Sequence, residues 1–117
     1  MAIIRGRLAN ISTLPSTVGS IYSNPGSTKT FIKGITLYNS NTSTETVKLY
    51  NVPDSGGSVG TAAETNQFLE IALASKETFM FEFPGDGAVL EDVNDSIQGV
   101  TTTASKVTYQ FHGVKDA

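Results

Sequence analysis

The sequence predicts an all-β protein: a single antiparallel β-sandwich of about immunoglobulin-domain size, closed by jelly-roll or Greek-key connections and preceded by an extended N-terminal arm. Three observations carry this expectation. Apolar residues recur with period two, turn signals return roughly every ten residues, and no window shows an apolar stripe at helical spacing. At 117 residues the chain suits one domain. A folded chain of 12.4 kDa should expose roughly 6,100 Å² against about 18,000 Å² unfolded, which is enough burial for a core without staples.

The elements follow in order. From Ala2 to Thr28 apolar residues are spaced out among Ser, Thr, Asn, Gly and Pro, and Pro15 and Pro25 punctuate them, so residues 1–28 read as the arm and 29–117 as the sandwich. In Thr30 to Asn39 the odd positions Phe31, Ile35 and Leu37 form a dry face, and the even positions, Ile32 included, form a mixed one. A polar run, Ser40 to Thr44, leads into Glu45 to Val52, and the two strands read as a hairpin. Pro53 to Gly60, continuing to Asn66, reads as a long exposed loop. Gln67 to Ala74 places Leu69, Ile71 and Leu73 on one side, and after the turn Ser75 to Glu77 comes the alternation Phe79, Phe81, Phe83. Pro84 to Gly87 ends that strand. Ala88 to Leu90, a turn at Glu91 to Asp95, Ser96 to Thr101, a turn near Thr102 to Ser105, and a last strand alternating Val107, Tyr109 and Phe111 complete the chain.

Composition narrows the chemistry. The absence of Cys removes disulfides and thiolate metal sites, and there is a single His and no Trp. A net charge of -3 and a pI near 4.9 argue against a groove that neutralises phosphates, so no nucleic-acid partner is expected. The opening Met1 to Leu8 lacks the apolar region of a signal peptide, and no apolar run approaches the roughly eighteen residues of a membrane span. Synthesis in the cytoplasm and no membrane association are the expectations.

Each candidate site has a plain competitor. His112 is the one side chain with a near-neutral pKa, yet without a positioned nucleophile and carboxylate it makes no triad and reads as a surface or rim histidine. Asp86, Glu91, Asp92 and Asp95 can offer oxygen ligands to calcium, but they lack the spacing of a calcium loop and read as solvated turn caps. The run Gly56-Gly57-Ser58-Val59-Gly60 lacks the Lys-Ser/Thr and the strand-to-helix setting of a phosphate loop. Tyr22, Tyr38, Tyr50 and Tyr109 can build a sugar-stacking platform, or serve strand propensity and packing. Arg5 and Arg7 alternate, so in an extended segment both point the same way, toward acidic groups of a partner or toward solvent. No catalytic residue, cofactor or metal site emerges, and the chain reads as a non-enzyme.

Four runs add a resemblance. Ile35 to Thr42 (ITLYNSNT), Thr46 to Ser58 (TVKLYNVPDSGGS), Ala72 to Phe79 (ALASKETF) and Asp95 to Thr101 (DSIQGVT) together resemble small β-sandwich virion proteins of tailed bacteriophages, including head decoration or cement proteins. The similarity spans roughly residues 30–113 and leaves the arm outside. It implies a capsid decoration protein on the virion surface that bridges neighbouring subunits of the major capsid protein, or of another virion protein, and that acts as a homotrimer. The alternative it leaves is a tail or baseplate component, or a glycan-binding virion module. On that reading Ile3, Ile4 and Leu8 of the arm bury against a neighbour, Arg5 and Arg7 pair with its carboxylates, and Asp54, Ser55, Gly56 and Gly57 form an exposed interaction loop.

Overall fold

Alternation of inward and outward side chains organises each long strand, because successive residues of a strand point to opposite faces of its sheet. A computed structural model describes residues 3–116; the side chains of residues 3–5, 9 and 10 also lie outside the described residues. The strands are β1 (Ile3–Thr13), β2 (Gly19–Ser23), β3 (Lys29–Asn39), β4 (Glu45–Val52), β5 (Gln67–Leu73), β6 (Thr78–Glu82), β7 (Ala88–Leu90), β8 (Ser96–Thr101) and β9 (Val107–Asp116). Glu64–Asn66 form one 3-10 turn before β5.

Two antiparallel sheets face each other. The first runs β1-β9-β3-β6, with β7 also on β3, and the second runs β2-β8-β4-β5. Since β6 and β7 pair with successive stretches of β3, they act as one edge strand interrupted at residues 83–87. The result is the jelly-roll closure of a β-sandwich. Its core is dry: Ile32, Ile35, Leu37, Leu90 and Phe111 of the first sheet meet Val47, Leu49, Leu73 and Ile97 of the second. The total accessible surface is 6172 Å², close to the value expected for a fully collapsed chain of this mass.

The topology corrects the hairpin expected between β3 and β4. β3 pairs with β9, β6 and β7, whereas β4 pairs with β5 and β8 in the other sheet. The link 40–44 is therefore an arch across the core, and so is 74–77 between β5 and β6. Every connection except β4 to β5 and β6 to β7 crosses from one sheet to the other. Residues 1–28, read above as an arm, contribute β1 along the edge of the first sheet and β2 along the edge of the second.

A second correction concerns β3. Its register against β9 shifts between Ile32 and Gly34, and this bulge reverses the alternation, so Ile32 is fully buried while Phe31 faces outward between buried Thr30 and Ile32. The close approach of β9 to the bulge requires glycine at Gly113, where a Cβ would run into the Phe31 carbonyl and the backbone of Ile32 and Lys33. Gly113→Ala should accordingly destabilise the fold by about 2 kcal/mol or more, read as a lowered Tm in thermal unfolding. An unchanged Tm would mean that the two strands part without strain.

Candidate functional site

The arches leave backbone groups with no ladder partner, and buried polar side chains take them. At one end Asn39, with no exposed surface, donates its Nδ2 to the carbonyls of Ser43 (2.9 Å), Leu73 (3.0 Å) and Ala74 (3.1 Å), and its Oδ1 accepts the Asn41 N–H (2.8 Å). One amide thus fastens the 40–44 and 74–77 arches to each other. Beside it Glu45, only 1% exposed, accepts from Asn41 Nδ2 (2.8 Å), Thr101 Oγ1 (3.0 Å) and the Thr103 N–H (2.7 Å). That carboxylate joins the third arch, between β8 and β9.

The opposite end repeats the device. Asn24 donates its Nδ2 to the carbonyls of Thr28 (2.7 Å) and Asp92 (3.1 Å) and accepts from Thr30 Oγ1 (2.6 Å). Asp95 accepts the N–H of Asp54 on one oxygen (2.7 Å) and those of Glu91 (2.9 Å) and Asp92 (3.0 Å) on the other. Burial pushes the Glu45 carboxyl up, but the hydrogen bonds from Asn41, Thr103 and Thr101 outweigh it and hold its pKa below the ordinary value. For Asp95 burial likewise raises, and the N–H donors of Asp92, Asp54 and Glu91 win.

The structure scatters most of the sequence-predicted candidates. Asp95 has both oxygens engaged with backbone donors, and among the described residues no three His, Cys, Asp or Glu side chains are arranged around a metal position. Tyr22 lies edge-on to Phe111 with ring centroids 6.3 Å apart, and Tyr109 donates to the Ile21 carbonyl at 3.1 Å. Tyr38 and Tyr50 belong to different sheets, so the four tyrosines form no common platform. His112 is exposed on the outer face of the first sheet and lies over Gly34, where a Cβ would strike its ring.

The loop residues Ser55, Gly56 and Gly57 are exposed. Their base is pinned, because Asp54 donates to Asp95, Asn94 Nδ2 donates to Asp54 Oδ1 (3.0 Å) and Gln98 Nε2 donates to the Gly60 carbonyl (3.0 Å). The side chains of Ile3, Ile4 and Arg5 lie outside the described residues. Arg7 is exposed on β1, and Leu8 is half-buried against the chain's own core.

A shallow depression of about 270 Å³ on the second sheet is lined by Thr46, Lys48, Val100, Thr101 and Thr102. Its lysine stands 3.9 Å from Glu70, and its hydroxyls have no base beside them to make a nucleophile. Among the described residues no helix is long and apolar enough to cross a membrane. What remains as functional surface is the periphery of the sandwich: β1, bonded only to β9 across 11 residues, the loops, and the outer sheet faces.

No protein-family model matches the chain, and no curated protein does. Among solved structures it is similar to a protein of Bacillus endospore appendages, described as a novel family of disulfide-linked pili. The identity is 20%, the TM-score 0.47, and the alignment covers 97% of this chain and 86% of the other.

Asn39 and Glu45 escaped the sequence reading, although a signal was present. Each continues the inward parity of its strand, Asn39 after Ile35 and Leu37 and Glu45 before Val47 and Leu49. A polar residue at an inward position marks a buried clamp.

Because both folded-state carboxyl pKa values lie below the unfolded ones, their stabilisation is complete above the ordinary carboxylate range near pH 4 and is lost as pH falls through the folded values. Denaturant midpoints should fall between about pH 5 and pH 3, and this acid limb should be flatter in Glu45→Gln/Asp95→Asn. Glu45→Gln alone should destabilise by about 1–3 kcal/mol at neutral pH, since it weakens acceptance from three buried donors. An acid limb unchanged in the double variant would contradict this assignment.

Proposed function

We propose that the chain is a structural, non-enzymatic subunit that docks on a larger protein assembly, and specifically that it decorates a bacteriophage capsid from outside and bridges neighbouring shell subunits. The single observation that carries this reading is the edge strand β1. It offers 11 residues with no strand on their far side among the described residues, and such an edge is a template for pairing with another chain. Exposed Arg7 and Ile11, the latter 63% exposed, add a charge and an apolar contact along it. The resemblance of residues 30–113 to decoration proteins supplies the kind of assembly.

A rigid body with clamped ends suits such a role, since little ordering entropy is lost when it docks. With no Cys, no disulfide can join subunits of this chain, so contacts must be noncovalent and their surfaces must carry the affinity. The exposed tip Ser55 to Gly57 favours the second reading, a tail or glycan-binding module.

Cosedimentation with genome-free heads of the phage that carries the chain tests the proposal. Saturable binding is expected, and Arg7→Glu/Ile11→Lys should weaken it about tenfold or more while leaving Tm unchanged. Wild-type protein that stays in the supernatant while binding a glycan array would overturn decoration in favour of the second reading.

A further inference from the structure

We propose that the outer face of the first sheet binds the acidic loop end of a second copy of this chain, giving a twofold dimer. The face is built by the β3 bulge. Phe31 points outward between buried Thr30 and Ile32, and its register partners are Val114 on β9 and Val89 on β7. Residues directly opposite one another share a face, so Val89, Phe31 and Val114 form an apolar row across three strands on the outside of the sandwich. All three are half-buried, and none packs against the core. Met80, 66% exposed on β6, continues the apolar surface toward the far edge.

Cations border the row. Lys29 precedes Phe31 by two residues on the same face and is exposed. On the other flank exposed Arg7 stands opposite exposed His112. Asp116 and Glu82 also lie on this face, opposite Lys29 and Gly34 respectively, so the surface is mixed with a positive majority. The net charge of the whole chain is -3, which places the compensating acids elsewhere.

They gather at the loop just past Val89. Glu91, Asp92 and Val93 are exposed, Val93 by 56%, and Asp95 holds the backbone N–H groups of Glu91 and Asp92 while Asn24 holds the Asp92 carbonyl. The tip is therefore presented in a fixed shape: two carboxylates around an apolar side chain. It complements a face that offers an apolar row flanked by cations, and a pre-formed tip binds without paying for its own ordering. Because the tip and the row adjoin in one molecule, two copies related by a twofold axis can each place the tip on the other's row. That is the isologous, self-closing geometry. The charge complementarity and the shared apolar content select a second copy as the occupant.

Sedimentation equilibrium of the full chain tests this at about 20 mM and about 0.5 M salt, conditions that differ strongly in screening. A species of 24.8 kDa, twice the 12.4 kDa chain, is expected at low salt, with weaker association at high salt. Lys29→Glu or Asp92→Lys alone should each raise the dissociation constant about tenfold, and the two changes combined in one chain should recover most of the loss. Phe31→Asp should leave a folded monomer, with circular dichroism checking the fold. A chain that remains at 12.4 kDa in low salt overturns the proposal, and binding of an acidic partner protein by that monomer would assign the face to a different occupant. A trimer, or a dimer indifferent to Phe31→Asp and to both charge reversals, overturns it as well.

Discussion

The fold depends on how a chain can cross repeatedly between two sheets without stranding buried backbone groups. A hairpin satisfies its own turn through the ladder on either side, but an arch pulls its two strands into different ladders and leaves carbonyls and N–H groups at the rim. Here Asn39 and Glu45 close three arches at one end, while Asn24 and Asp95 close the loops at the other. The apolar core between the ends needs only alternation. The ends need specific polar side chains at specific heights.

This division explains what could be read from the sequence. The strands were legible because Val107, Tyr109 and Phe111, or Leu69, Ile71 and Leu73, alternate strictly, and the sandwich followed from their spacing. Sheet membership was not legible, because Ser40 to Thr44 has the composition of any polar turn and nothing local distinguishes an arch from a hairpin. The edge strand β1 was read as an arm because Gly6, Asn10 and Ser12 dilute its pattern, and its backbone is held mainly by pairing with distant β9. Phe31 was placed inside because one residue of bulge inverts parity, and that residue, Lys33, is an ordinary strand lysine in sequence. Of the candidate surface, the exposed loop at Ser55 to Gly57 was visible in composition, whereas the outward row of Phe31, Val89 and Val114 needs the register to exist at all.

The same constraint shapes function. Clamped loops hold Glu91, Asp92 and the base of the 53–66 loop in place, so side chains at that end are displayed rather than disordered. The other exposed features, the free edge of β1 and the outer face of the first sheet, are likewise properties of a rigid body. A protein of this kind works by presenting surfaces, and its polar interior is structural rather than chemical.

Amide hydrogen exchange at Thr103 tests the clamp account most directly, because this residue lies in an exposed turn and its N–H reaches buried Glu45. The account predicts protection approaching that of the core strands at neutral pH, lost in acid as Glu45 takes up its proton and lost in Glu45→Gln. Exchange at the rate of a free loop in the wild-type chain, or protection indifferent to both pH and the substitution, would contradict it.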